Sequence, residues 1–340
     1  MILAAISGAQ AAGARLGVAC KLAGICARTV ERWRARPDGE DRRYGPQRRP
    51  GNALSASERA KVMALMSSPP FAGLSPKQVV PLLADEGIYI ASESTLYRLR
   101  RELKQGCPRP MTRTDRARAT TVHQARGPNQ VWSWDITYLP TAIRGRYFYL
   151  YLVMDVWSRR VVGWQVHECE SADHAAALIV RICEAEGIDP QGLILHSDNG
   201  TPMRGNTMLA TLQWLGIAPS FSRPHVCDDN PYSEALFRTL KQAPSYPSRP
   251  FLDLLATQRW VAGFVGWYNA THRHSAIRFV TPDERHFGRE HAILARRHDV
   301  YERARRRRPE RWSRHTRNWT PIGTVVLNPS LASSNSTAAA

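Results

Sequence analysis

The chain has 340 residues, 43% of them hydrophobic, which is enough for two or three domains with real cores. Its formal charge of +18 calls for a polyanionic partner, either nucleic acid or an anionic surface. No apolar run approaches the roughly 20 residues of a spanning helix, so no membrane role is expected.

Residues 1–22 are Ala-rich but lack a basic leading region and are broken by Gly8, Gly13, Arg15 and Gly17, which is not a signal-peptide pattern. The six cysteines are scattered with no C-x-x-C pair, as suits reduced thiols in a cytoplasm. That spacing also argues against a structural zinc site, and His272 and His274 read as polar loop histidines.

Residues 17–34 read as helix, turn, helix. Val18, Leu22 and Ile25 supply apolar positions, Gly24 the turn and Cys26 an imperfect cap. Such a geometry lets a second helix enter a major groove, with Arg28 and Arg32 as its basic contacts. A Pro-, Gly- and Arg-rich stretch over residues 36–52 reads as a linker.

A second helical module follows. Ser55 and Glu58 form a capping box that opens a helix to about Met66. Ser75-Pro76 opens another helix, ended by Gly87, with Pro81 expected to interrupt it. Ser92 caps a basic helix over residues 93–103, whose Arg98 and Arg101 are further candidates for DNA contact. Residues 105–126 read as a mobile basic linker. The domain boundaries expected are 1–50, 51–105, 106–128, 129–290 and 291–340, the last a basic tail with a small β element over residues 316–327 and a disordered end.

Between them the pattern changes. Residues 131–139, 147–156 and 161–166 are rich in Trp, Tyr, Ile and Val, as strands are. A helix over 172–186 ends at Gly187, a short strand spans 193–195, a helix 208–215 and a strand 217–221. Another helix starts at Pro231 with Asn230 as its cap, and an aromatic-rich helix covers 252–268. Three consecutive strands followed by alternating helices and strands give an α/β core with a mixed sheet.

Three acids stand out in that core. Asp135 sits between Trp134 and Ile136 in the most strand-like segment, where an Asp is unfavourable unless something such as a cation offsets it. Asp198 lies just past a strand, with Gly200 allowing a tight exit, and ligands collect at strand ends in such sheets. Glu234, with 35 residues between it and Asp198, falls in the first turn of a helix, which projects Arg238 and Lys241 to the same side. Asp155, Asp228 and Asp229 compete: Asp155 as a turn residue paired with arginine, the other two as supports of the helix start. Carboxylates gathered from distant segments suit hard cations that keep substrate phosphate oxygens in their shell, so two Mg²⁺ ions are expected, with Mn²⁺ able to substitute.

The segments Trp134-Asp135-Ile136-Thr137-Tyr138, His196-Ser197-Asp198-Asn199-Gly200 and Asp229-Asn230-Pro231-Tyr232-Ser233-Glu234, with Leu240-Lys241, Trp267-Tyr268-Asn269 and His272-Arg273-His274-Ser275, resemble insertion-sequence transposases whose core is similar to retroviral integrases, the DDE recombinases. The resemblance spans residues 17–288. It implies a ribonuclease-H-like core in which Asp135, Asp198 and Glu234 are catalytic metal ligands and Lys241 is the basic residue past the glutamate. It also implies helix-turn-helix segments that bind terminal inverted repeats of double-stranded DNA, a homo-oligomer on that DNA, and a bacterial, nucleoid-associated, cytoplasmic location. Thr201-Pro202-Met203 and His225-Val226-Cys227 depart from the family pattern without removing a ligand. Two alternatives stand beside a transposase: a ribonuclease-H-like nuclease that cuts without joining, and a catalytically silent DNA-binding regulator.

Overall fold

The computed structural model describes residues 2–35, 50–102, 122–223 and 229–329. The expected linker over residues 36–52 lies mostly outside them, as do residues 103–121, Asp228, His225-Val226-Cys227 and the end from residue 330. The chain divides into two compact units, Met1–Leu54 and Ser55–Ala340.

The first unit holds helices α1 (Ile2–Ala11), α2 (Leu16–Leu22) and α3 (Ala27–Arg34). Gly24 takes φ +64° in the α2–α3 turn, a left-handed conformation that glycine adopts without steric cost. Cys26 occupies the N-cap of α3 and makes no side-chain cap bond. The core is not the expected one. Ile6, Ala19, Cys20 and Val30 are buried together, whereas Val18 and Leu22 face outward. Arg28 and Arg32 on α3 are exposed.

The second unit begins with α4 (Ala56–Ser67), α5 (Pro69–Ala72), α6 (Pro76–Asp85) and α7 (Glu93–Glu102). The capping box is formed: Glu58 N–H donates to Ser55 Oγ at 3.1 Å, and Ser55 N–H to the Glu58 carboxylate at 2.7 Å. Pro81 does not interrupt its helix. It is buried inside a continuous α6, where packing by Val79, Val80, Leu83 and Ala84 outweighs the lost backbone hydrogen bond. The α7 helix buries Leu96, Leu99 and Arg100, and exposes Ser94, Arg98 and Arg101.

The five-stranded sheet runs β4-β3-β2-β5-β6, built from β2 (Val131–Pro140), β3 (Tyr147–Asp155), β4 (Val161–His167), β5 (Ile194–Ser197) and β6 (Ala218–Phe221). The first three pair antiparallel and β5 and β6 parallel, which is the mixed sheet expected. Helices α8 (Ala172–Glu186), α9 (Thr201–Arg204) and α10 (Asn206–Leu215) lie on one side, where α8 and α10 pack with Trp132, Trp134 and Leu195. On the other, α11 (Pro231–Lys241) and α12 (Leu254–Ala270) pack with Leu139, Leu150 and Leu152. Gly187 ends α8 at φ +60°.

Gly163 marks the closest approach of α8 to the sheet. A Cβ there would stand 2.3 Å from Ile182. Gly163→Ala is therefore expected to cost about 1–3 kcal/mol through overpacking, read as a lowered midpoint in urea. A neutral result would mean that α8 slides freely.

The outer backbone of β4 is closed by side chains, not by another strand. Asn269 accepts from Val161 N–H and donates to Val161 C=O, both at 2.9 Å, and Arg181 donates to Trp164 C=O at 3.0 Å. Paired edge groups resist unwanted strand addition.

Several elements, α1 among them, were not expected. Residues His123–Ala125, inside the segment read as linker, form strand β1, antiparallel to β7 (Val325–Leu327). The end of the expected core carries α13 (Pro282–His286), and the segment read as a basic tail an 18-residue helix, α14 (Glu290–Arg307). The latter buries Ile293, Leu294, Val300 and Tyr301, but also Glu290 and Arg297, so charged residues hide its apolar period. The small β element expected over residues 316–327 is reduced to β7.

Candidate carboxylate site

Strand register brings two of the three acids together. Ser133 on β2 pairs with His196 on the parallel β5, and Asp135 and Asp198 each follow two residues later, close enough for the Asp198 charge to act on Asp135. Alternation puts Asp135 on the same face as Ser133, away from Trp132 and Trp134. That face meets the start of α11.

The helix is fixed there by buried hydroxyls and an amide. Ser133 Oγ donates to Asn230 Oδ1 at 2.6 Å and lies 2.7 Å from Ser233 Oγ, while Asn230 Nδ2 donates to Trp134 C=O at 3.1 Å. Asn230 does occupy the N-cap position, but its side chain makes no cap bond and ties the helix to β2 instead. The residue after Ser233 is Glu234, delivered to the Asp135 side by this anchor. Sequence reasoning missed Ser133 and Ser233; the one available signal was a Ser between two tryptophans in a buried strand.

The electrostatics show that the acids sense one another. Burial pushes the Asp135 carboxyl up to about 7, and the Asp198, Glu234 and Glu170 charges add to the effect, against the Ile136 N–H bond that lowers it. Glu170 is a fourth acid that the sequence did not single out. Each aspartate also has a local donor: Ile136 N–H to Asp135 Oδ1 and Ser222 Oγ to Asp198 Oδ1, both 2.7 Å. Among the described residues no three His, Cys, Asp or Glu side chains are grouped closely enough to grip an ion as they stand. The donor set nevertheless suits a hard cation: hard oxygens, mutual repulsion that positive charge would relieve, and a buried Asn199 Oδ1 without a hydrogen-bond partner beside Asp198.

A raised carboxyl makes a stability prediction. The folded protein binds a proton at Asp135 up to about pH 7, whereas an ordinary Asp releases it near 3.8. Between those values the native state holds more protons, so its stability falls as pH rises and the full penalty is present above pH 7. In chelator, Asp135→Asn should match the parent near pH 4 and exceed it at pH 8, by up to about 4 kcal/mol at 1.36 kcal/mol per unit. Equal stability at both pH values would place Asp135 in water.

The competing acids have other work. Asp155 is wholly buried and organises its turn, accepting from Asn129 N–H, Ser158 N–H and Ser158 Oγ at 2.6–2.7 Å. It is not paired with arginine: Arg160 reaches Asp283 and Glu186. Asp229 is gripped by Arg223 at 2.7 Å, which holds its carboxyl below the usual range. His274 is more than a loop histidine: it caps a 3₁₀ turn through Ala276 N–H, and burial pushes its imidazole down to about 3.

On α11, Arg238 and Lys241 are exposed. No helix is long and apolar enough to cross a membrane among the described residues.

Residues 125–227 match the integrase core domain, residues 215–282 a second integrase core domain description, and residues 29–99 a homeodomain-like domain. The chain is 29% identical over 163 residues to the transposase for insertion sequence element IS904 of Lactococcus lactis, covering 48% of this chain and 63% of that one. It is 31% identical over 162 residues to transposase InsF for insertion sequence IS3A of Escherichia coli, covering 47% and 54%. The matches thus span between half and two thirds of these relatives' length. The catalytic core domain of BIV integrase aligns at 20% identity and a TM-score of 0.36, over 48% of this chain and 97% of that one. The HTLV-2 integrase catalytic core domain in complex with magnesium aligns at 16% and 0.33, over 47% and 96%.

Proposed function

We propose that this chain, which carries an integrase core domain, is an insertion-element transposase that cuts DNA strands and joins the freed 3′ ends to a target. The observation that carries the reading is that the Asp198 and Glu234 charges both act on the buried Asp135 carboxyl, near the point where α11 is tied to β2.

In this reading Asp135, Asp198 and Glu234 hold two Mg²⁺ ions, or Mn²⁺. Bound there, the ions lower the pKa of an attacking oxygen and offset charge on the leaving one. The protein's own contribution is placement. Ser222 orients Asp198 through its 2.7 Å bond, and Ser133, Asn230 and Ser233 fix the helix that bears Glu234. Lys241, two turns beyond Glu234 on the same face, is placed to meet a phosphate of the bound strand, with Arg238 beside it. Water first cuts a phosphodiester; the resulting 3′-hydroxyl then attacks a second one in line.

Arg28 and Arg32 on α3, with Arg98 and Arg101 on α7, contact duplex DNA at the element's ends. Two ends must be held together, so the acting form is a homo-oligomer, working on the bacterial nucleoid. Binding at the ends and cutting within the core make a division of labour that a silent regulator would lack.

A strand-transfer assay with labelled end duplexes, target plasmid and Mg²⁺ tests the reading. Joined product supports it; cleavage with no joined product would leave a nuclease, and neither product would leave a regulator.

A further inference from the structure

The segment after α14 is not a loose appendage. Residues 312–321 run as a strap between the helical module and α14, and ion pairs fasten both. Arg297, with no exposed surface, donates to Asp85 at 2.6 and 2.9 Å and to the Arg278 and Phe279 carbonyls at 2.9 and 3.1 Å. Arg311 pairs with Glu58 at 3.1 Å and holds that carboxyl down to about 2. Arg317 pairs with Glu93, the first residue of α7. Tyr89 packs between Tyr301 and Trp312, with ring centroids 4.8 and 5.1 Å away. The helical module of residues 55–102 therefore has a fixed relation to α14.

Two clefts open along the strap, and Arg317 lines both. One, about 500 Å³, lies at the N-terminal end of α7, walled by Tyr89, Tyr301 and Trp312 and edged by Lys77, Ser92 and Ser94. The other, about 550 Å³, runs along α14 past His291, His298, Arg305 and His315. Trp319 belongs to its wall, and the buried indole Nε1 there has no hydrogen-bond acceptor.

The charge of this face is one-sided. Several of its acids are paired: Glu93 with Arg317, Asp85 with Arg297 and Arg273, Glu302 with Thr316 and, at 3.9 Å, Arg305, and Glu310 with Arg308 at 3.9 Å. Lys77 stays exposed, and so do Arg306, Arg307, Arg308 and Arg314. Aromatic walls and a clear excess of arginine over acid suit a phosphodiester backbone.

We infer that the strap, with the α7 and α14 surfaces it joins, is a second duplex-DNA surface, tracking the phosphate backbone next to the site that α7 reads. This rests on the reading of α7 as a DNA-binding helix, and it adds a partner for the C-terminal segment. Helix-turn-helix proteins place the N-terminal residues of the recognition helix against base edges. Here that end opens into the first cleft, so backbone leaving α7 would run toward Arg317 and then α14.

The test uses the full chain in Mg²⁺-free buffer and a fluorescein-labelled random-sequence 40-base-pair duplex, with affinity followed against salt. Each phosphate contact contributes about −0.9 to the slope of log K against log salt. The double variant Lys77→Ala, Arg305→Ala should bind about tenfold more weakly, with a slope shallower by about 2. Lys77→Arg with Arg305→Lys should restore the slope, which a merely structural role would not produce. An unchanged slope in the alanine variant overturns the inference. If that variant keeps its slope while Arg98→Ala, Arg101→Ala loses it, the end-binding reading of α7 survives alone. If the parent chain fails to bind the duplex at all, both fall.

Discussion

Asp198→Asn is expected to abolish strand cleavage and joining while leaving duplex binding nearly intact. Removing one carboxylate from a two-cation site forfeits several kcal/mol of transition-state charge stabilisation. At 1.36 kcal/mol per decade, the rate should fall by roughly 10³-fold or more. Asparagine keeps the side chain's shape and can still accept from Ser222 Oγ, so the end of β5 should not move. In the proposed reading, binding affinity and its salt dependence come instead from Lys and Arg on phosphates, which this substitution leaves in place. The measurement is a pair of assays on one preparation: labelled-end cleavage in Mg²⁺, and duplex affinity without it. Cleavage surviving the substitution would sink the site assignment. Binding lost as deeply as cleavage would sink the separation of roles.

The proposed cation site also carries an expected pH dependence. Asp135 carries a raised carboxyl because burial and its acidic neighbours disfavour its charge. A divalent cation would reverse that balance, binding the ionised form and releasing a proton. Cation affinity should therefore weaken below about pH 7, where Asp135 holds its proton.

How far the chain could be read from its residues depends on what kind of signal each part carried. The sheet was legible because β2, β3 and β4 are long, aromatic and β-branched, and their partners lie next to one another in sequence. Asp135 was legible for the same reason: a charge in such a strand stands out against its neighbours. The β1–β7 pair was not, because the three residues His123, Gln124 and Ala125 find their partners some 200 residues away. Asn230 was placed correctly as a cap position, but tertiary packing captured its side chain for Ser133 and Trp134. The largest gap is α14. A helix whose buried stripe includes Glu290 and Arg297 cannot be found by looking for apolar spacing, since those charges are inside only because Arg285 and Asp85 meet them.

Arg297→Ala should be among the most damaging substitutions outside the carboxylate site. It would leave Asp85 with only the Arg273 contact at 3.1 Å, and strip the Arg278 and Phe279 carbonyls of their donor in a buried setting. Removing one partner of a buried ion pair costs about 3–5 kcal/mol, mostly because the other is left uncompensated. Asp85→Ala should cost less than this, since the guanidinium would keep two carbonyl acceptors and the Trp319 ring 5.3 Å away. A double-mutant cycle in urea separates the pair from the rest, with a coupling of about 1–3 kcal/mol expected. A loss under about 1 kcal/mol for Arg297→Ala would mean the module is held by its aromatic contacts instead. In that case Tyr89 and Trp312, not the ion pair, would set where the helical module sits against α14.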